Sequence, residues 1–351
     1  MRMPRTAIET GDGPADEPRG REAVVARGLS KAFGSGARRV EAVRGIDLAV
    51  HRGEIFGFLG PNGAGKTTTL RMLTTLLPID AGTALVGGVD VARSPKEARR
   101  RIGYVGQLGG ADQQATGREN LALQARLCGM SGAEARRRAD ALIEQLELRE
   151  FADRLARMYS GGQRRRLEVA LGIVHRPEVL FLDEPTTGLD PQNRANLWDE
   201  VRALRAAGTT VFLTTHYLEE ADSLADRVAI IDGGRIVAEG TPTELKRGLV
   251  SASIVIETGL GDGALEALRR ELEGQPAVTA ARAAGRSLRV EVTDGAAALQ
   301  PIATVISARR VPLEAMSLST PSLDDVFLHL TGRSLRDSGA APGSTYLGET
   351  R

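Results

Sequence analysis

The chain has 351 residues, of which 42 % are apolar, and a formal net charge of +1; that length accommodates two domains with ordinary cores. Near-neutral charge excludes a nucleic-acid binder that works by bulk electrostatics, so no nucleic-acid partner is expected. The single cysteine, Cys128, excludes an intramolecular disulfide; with no uncharged apolar run of about 18 residues and no apolar leader region, the expectation is a soluble, cytosolic chain unless a partner holds it at a membrane.

Residues 1–22 are rich in Gly, Pro and charge and are expected to be a disordered tail. Short apolar stretches follow, Val24-Val25, Val40 to Val43 and Ile46 to Leu48. Gly34-Ser35-Gly36 and His51-Arg52-Gly53 separate them. This pattern predicts antiparallel hairpin strands. Phe33 stands just before the first turn, where a strand-end core residue would also stand.

The apolar run Ile55 to Leu59 leads into Gly60-Pro61-Asn62-Gly63-Ala64-Gly65-Lys66-Thr67-Thr68, and a helical pattern follows from Thr69 to Leu73. Strand, glycine-rich loop and helix in this order turn G-x-x-x-x-G-K-[ST] from a Gly-rich turn into a phosphate-binding loop. The glycines let successive N–H groups turn inward, and the helix N-terminus adds its positive end. Lys66 supplies a point charge to the β- and γ-phosphates. The Thr67 hydroxyl is a candidate Mg²⁺ ligand.

Ala84 to Val91 reads as a hairpin or edge strand, Glu97 to Arg101 as a short basic helix, and Ile102 to Val105 as a buried strand ending near Gln107. Thr116 to Leu148 turns helical, with Ala135, Ala139, Leu142, Ile143 and Leu146 on one face and Arg136, Arg137 and Arg138 on a solvated one. A further helix is predicted from Gln163 to His175. These helices interrupt the strand pattern, so a helical subdomain projecting from the sheet is expected over about 108–176.

Val179 to Leu182 is a continuous apolar run, as a central parallel strand requires, and it ends in Asp183-Glu184. Asp183 is placed to bind Mg²⁺, and Glu184 to polarise the water that attacks the γ-phosphate. Alone, an apolar strand ending in an acid is a weak signal. Helix is expected over Arg194 to Ala207 and Leu218 to Ala225, with a strand at Thr210 to Leu213 between them. A hairpin is expected across Asp232-Gly233-Gly234. Alternating strand and helix gives an α/β fold with a parallel sheet. Upstream of the acid pair, Tyr159-Ser160-Gly161-Gly162-Gln163 reads as a capping box, Ser160 with Gln163. It is equally an anion site at a helix N-terminus.

In that order, the phosphate loop, Gln107, Ser160-Gly161-Gly162-Gln163, Asp183-Glu184, Gly188-Leu189-Asp190 and His216 resemble the ATP-binding subunits of ABC transporters over about 23–247. The resemblance implies a P-loop NTPase core with a helical subdomain and an antiparallel β-subdomain. It implies a homodimer, head to tail, with two ATP molecules in the interface. Each ATP is held by Lys66 of one subunit and by Ser160, Gly161 and Gly162 of the other, with Gln163 in the same motif. It further implies that Phe33 stacks on adenine and that Gln107 senses the γ-phosphate and Mg²⁺. Asp190 would signal across the dimer, and His216 would position the γ-phosphate and the attacking water.

A narrower resemblance, to the daunorubicin-resistance type of drug exporter, rests on Ala115 to Leu121, Tyr159 to Leu167, Leu197-Trp198, Thr214 to Asp226, and Thr320 to Phe327 with Leu330-Thr331-Gly332. Several members of that group carry Met at the position of Gln163 and Gln at that of His216, so those two positions follow the general pattern instead. The implied function is an ATPase at the cytoplasmic face of the cell membrane. It would drive export of a hydrophobic drug through a separate membrane permease. The rival functions are a soluble ABC-type ATPase without transport, a nucleotide-binding regulator without turnover, and export of a lipid or polysaccharide. A single cassette without a long coiled-coil insertion speaks against the first. Glu184 and His216 speak against the second.

After Lys246 the phosphate chemistry stops. The order β-α-β-β-α-β from Ser253 to Leu318 resembles a ferredoxin-like unit, so 248–333 is expected to be a small C-terminal α+β domain for regulation or assembly, outside the catalytic machinery. Its closing helix would present Leu323, Val326 and Phe327 on one apolar face. A second disordered tail is expected over 334–351.

Overall fold

Ile55–Leu59 is buried at every residue, and so are Val179–Asp183 and Thr210–Thr215. Strands apolar on both faces need cover on both faces, which a parallel sheet with crossover helices provides. The computed structural model describes residues 21–107, 109–247, 252–319 and 321–332. The expected tails lie outside these residues except for Arg21 and Glu22, and Glu22 already opens the first strand.

In chain order the elements are β1 (Glu22–Phe33), β2 (Val40–His51), β3 (Ile55–Leu59), α1 (Lys66–Leu73), β4 (Ala81–Val86), β5 (Val89–Asp90), α2 (Pro95–Arg101) and β6 (Ile102–Val105). There follow α3 (Gly117–Leu127), α4 (Gly132–Gln145), α5 (Gly161–Gly172), β7 (Val179–Asp183), α6 (Pro191–Ala206), β8 (Thr210–Thr215), α7 (Leu218–Leu224), β9 (Arg227–Asp232), β10 (Arg235–Gly240) and α8 (Pro242–Arg247). The C-terminal part adds β11 (Ala252–Thr258), α9 (Asp262–Glu273), β12 (Val278–Ala284), β13 (Ser287–Val292), α10 (Gly295–Ala308), β14 (Leu313–Ser319) and α11 (Leu323–Thr331).

The central sheet runs β10-β9-β3-β8-β7-β6. Its neighbours are parallel except β10, which returns antiparallel along β9. One face carries Phe56, Phe58, Phe181 and Phe212, all fully buried, with Phe212 5.4–5.5 Å from each of the other three ring centroids. This face shares a core with α1 and with the antiparallel sheet β2-β1-β4-β5. The opposite face, with Leu180, Leu182, Val211 and Leu213, packs against α3 to α6.

The helical stretch predicted over Thr116 to Leu148 divides in two. Gly129, at φ +93, ends the first helix, and Ser131 caps the second reciprocally with Glu134. Arg138 does not share the solvated face of Arg136 and Arg137. It donates from Nε to Val174 O and from Nη2 to Ile173 O, both at 2.8 Å. Carbonyls at the end of α5 that lack an intrahelical partner are satisfied this way.

The C-terminal sheet runs β12-β13-β11-β14, antiparallel throughout, and has its own core with α9 and α10. The split β-α-β arrangement expected from the sequence is present. The closing helix goes elsewhere. Leu323, Val326 and Phe327 of α11 are buried against Leu59, Ala221, Ala225, Val228 and Ile230, at the end of β3 and along α7 and β9. The apolar face read from the sequence is therefore filled by the nucleotide-fold core of the same chain.

Candidate functional site

Because β8 lies between β3 and β7, the loops leaving these three strands open side by side at the carboxyl edge of the sheet. That edge is where open α/β sheets bind ligands. The loop after β3 is the glycine-rich one. Gly60 and Gly65 fit it because a Cβ would lie 2.3 Å from Ile231 O at the first and 2.5 Å from Ala42 O at the second; Gly65 also sits at φ +107. No larger residue combines that approach with that backbone. Asn62 and Gly63 are exposed, Pro61 and Ala64 buried, and Thr67 and Thr68 half-buried in the first turn of α1. Gly65 caps α1 without a side chain, so the first N–H groups of the helix keep their donors free for an anion.

Lys66 is buried and points back along the loop. Its Nζ donates to Gly60 O at 2.7 Å and Pro61 O at 3.1 Å, and lies 3.3 Å from Glu184 Oε1. Burial pushes its pKa below the usual lysine range, and the Glu184 charge works against that shift.

The acid pair at the end of β7 is set by β8. Asp183, 1 % exposed, accepts from Thr67 Oγ1 at 3.0 Å and from Thr214 Oγ1 at 2.8 Å. One carboxylate and one hydroxyl from the phosphate-loop helix thus meet at a single point. Oxygen donors of this kind suit Mg²⁺, which takes few protein ligands and completes its shell with phosphate and water. Among the described residues no group of three or more His, Cys, Asp or Glu could hold a metal by itself. Thr67 and Asp183 therefore fit the expected ion in company with phosphate oxygens.

Glu184 adopts φ +47, uncommon for a side chain of its size. Its N–H is held by Thr214, at 3.1 Å from the carbonyl and 3.0 Å from Oγ1. The strained backbone turns the carboxylate toward the loop instead of along the strand. Oε1 faces Lys66, and Oε2 is 3.2 Å from His216 Nδ1 and accepts from Thr187 Oγ1 at 3.4 Å. Burial raises the pKa of Glu184, but His216 and Lys66 together outweigh it, and the group stays below the usual glutamate range. His216 stacks on Tyr217, centroids 4.1 Å apart, and Arg194 lies over the far ring.

The motif reading missed Thr214 and Glu220. Thr214 organises both acids. Glu220 is fully buried and accepts from Trp198 Nε1 at 3.2 Å. Burial drives its pKa up, against the Trp198 N–H that holds it. The sequence signals for Glu220 were its place on the helix after His216 and within the resembling stretch Thr214 to Asp226, neither of which gave it a role.

The remaining predicted residues form other groups. Ser160 caps α5 reciprocally with Gln163, as the capping-box reading expected. A Cβ on Gly161 would meet Leu189, and one on Gly162 would lie 2.1 Å from Asn193 Oδ1. Asp190 caps α6 by accepting from Asn193 N at 2.9 Å. So Ser160, Gly161, Gly162, Gln163 and Asp190 belong to one surface, beside but separate from the Lys66 cluster. Phe33 is 45 % exposed at the end of β1, with Lys31 Nζ 5.8 Å from its ring centroid. Gln107 is exposed after β6, in a groove of about 590 Å³ whose lining includes Arg71, Tyr104, Gly109, Gln124 and Glu168.

The family model for ABC transporters matches residues 43–187, and that for the C-terminal domain of DrrA1-3-like ATP-binding proteins matches 240–331. The chain is 48 % identical to the daunorubicin/doxorubicin resistance ATP-binding protein DrrA of Streptomyces peucetius, over 90 % of this chain and 94 % of that one. It is 45 % identical to the daunorubicin resistance ATP-binding protein DrrA2 of Streptomyces coeruleorubidus, over 91 % and 98 %. Among solved structures it resembles a dimeric ATP-binding cassette in a post-hydrolysis state bound to ADP and Pi, with a TM-score of 0.57 and 26 % identity, covering 62 % of this chain and 98 % of that one.

Proposed function

Starting from the fact that this chain belongs to the ATP-binding, ATP-hydrolysing proteins of ABC transporters, in the daunorubicin-resistance group, we propose that it energises export of a hydrophobic drug through a separate membrane permease. The observation that supports the site assignment most is the convergence of Lys66, Thr67, Asp183, Glu184 and His216 at the ends of three adjacent strands.

In this reading the phosphate loop, Gly60 to Thr68, wraps the phosphates, Lys66 faces the β- and γ-phosphates, and Phe33 stacks on adenine. Thr67 and Asp183 would hold Mg²⁺, with Gln107 reaching toward it. When bound, the ion neutralises charge on the phosphate oxygens. Glu184, with Oε2 beside His216, accepts a proton from water as its oxygen bonds to the γ-phosphorus. The bond from that phosphorus to the bridging oxygen breaks, and ADP leaves with the electron pair. His216 orients the water and the γ-phosphate. A second copy, head to tail, brings Ser160, Gly161, Gly162 and Gln163 over the phosphates and places Asp190 at the seam. The relative in the post-hydrolysis state is itself a dimer.

The groove at Gln107 suits a segment of the permease, which would keep the protein at the cytoplasmic face. Among the described residues no helix is long and apolar enough to cross a membrane. The test is drug sensitivity in a host carrying the chain with its genomically neighbouring permease. Resistance to daunorubicin should require both proteins and disappear with Glu184→Gln. Unchanged sensitivity with an active ATPase would overturn the drug assignment and point to another cargo.

A further inference from the structure

Arg165 lies one turn into α5, two residues after the motif Ser160 to Gln163, and nothing in the motif reading gave it a role. Its side chain is only 8 % exposed, and it reaches two other segments and Glu168 on its own helix. Nε donates to Pro185 O at 2.8 Å, and Nη1 donates to Gly106 O at 2.8 Å and to Glu168 Oε2 at 2.9 Å. Pro185 immediately follows Glu184, and Gly106 immediately precedes Gln107.

Glu168 is the other half of the arrangement. It is also buried, and a Cβ on Gly109, which sits at φ +72, would lie 2.0 Å from its Oε1. Arg165 therefore holds the backbone at Gly106, just before Gln107, while Glu168 lies close against Gly109. Gly106, Gln107, Gly109 and Glu168 all line the groove of about 590 Å³.

We propose that Arg165 and Glu168 form a positioning clasp that couples the groove around Gln107 to the placement of Glu184. This rests on the reading of Glu184 and of the groove given above. The physical argument is the fork. A planar guanidinium holds two carbonyls from different segments at a fixed separation, whereas an ammonium is a single point on a flexible stem. The bonds are charge-assisted, and those to Pro185 and Glu168 are buried, so they are stiff. Displacing the Gln107 segment then pulls through Arg165 on Pro185. Any movement of Pro185 shifts the strained Glu184 beside it. Neither Arg165 nor Glu168 is placed to touch nucleotide, so their effect on hydrolysis would run entirely through position. Misplacement of a base by about 1 Å can cost on the order of 10²-fold in rate.

The test uses the purified full chain with Mg²⁺-ATP. R165K, E168Q, Q107A and R165K/Q107A are compared with wild type and with E184Q for kcat, KM and thermal unfolding. R165K should lower kcat about tenfold or more, with KM within about twofold and an unfolding midpoint close to wild type. The double variant should be no slower than the slower single, because both changes cut the same path. E168Q should lower kcat in the same direction by less. A folded R165K with wild-type kcat, or multiplicative effects of R165K and Q107A, overturns the clasp. If R165K does not fold, E168Q with and without Q107A decides by the same criteria. Failure of wild type to hydrolyse ATP would instead sink the reading of Glu184.

Discussion

Lys66 Nζ stands 3.3 Å from Glu184 Oε1, so the loop lysine and the acid proposed as base share one ion pair at the centre of the site. A γ-phosphate that reaches Lys66 competes with Glu184 for the same charge. Glu184→Gln should therefore leave ATP affinity unchanged or tighter, while hydrolysis slows by about 10²–10⁴. Equilibrium binding of nucleotide and a single-turnover assay check the two halves separately. Weaker binding together with rapid turnover would sink the role given to Glu184.

Lys66→Ala removes the opposite partner. It leaves Glu184 half-buried beside His216 without its lysine partner, and it deprives the phosphates of their point charge. The variant should lose turnover and most of its ATP affinity, read by nucleotide binding and phosphate release. Wild-type-like hydrolysis would overturn the phosphate-loop assignment.

Glu200 of α6 gives a pH prediction away from the site. Burial raises its pKa to about 7, against the pull of Arg166, whose Nε is 3.2 Å from Oε1. The folded state therefore holds a proton that the unfolded state releases near the ordinary value of 4.5. Stability from this group is complete below that ordinary value and is lost as pH rises through about 7. Glu200→Gln should match wild type near pH 5 and gain on it by pH 8, by at most about 3 kcal/mol. Urea unfolding at the two pH values measures the difference. An advantage that does not grow with pH contradicts the argument.

The docking of α11 changes what truncation is expected to do. Removing everything after Lys246 strips the cover from Leu59, Ala221 and Val228, and Leu59 directly precedes the phosphate loop. Such a chain should be poorly soluble and bind ATP weakly, unlike one that had lost only an appendage. Phe327→Ala should cost about 3–5 kcal/mol as a buried aromatic truncated to a cavity. Leu328→Ala, at a position 46 % exposed, should stay within about 0.5 kcal/mol. Equal losses at the two positions in denaturant unfolding would show that α11 is not held as described.

Local chemistry made much of this protein legible in its sequence. Gly60 to Thr68 could be read because a glycine-rich loop between strand and helix has few other uses. Val179 to Asp183 was recognisable as a central strand because parallel strands are apolar on both faces. The β-α-β-β-α-β order of the C-terminal unit was also readable, since each element follows from its own periodicity. Strand neighbours were not readable, because pairing depends on contacts between residues far apart in the chain. Only the sheet order puts β8 between β3 and β7, and with it Thr214 against Asp183 and His216 against Glu184. The partial burial of Arg138 and the burial of Arg165 were hidden for the same reason, since the carbonyls they satisfy lie on other segments. Sequence periodicity gave α11 an apolar face, but the surface that fills it was decided by tertiary packing. A helix face records that it must be covered and carries no record of what covers it.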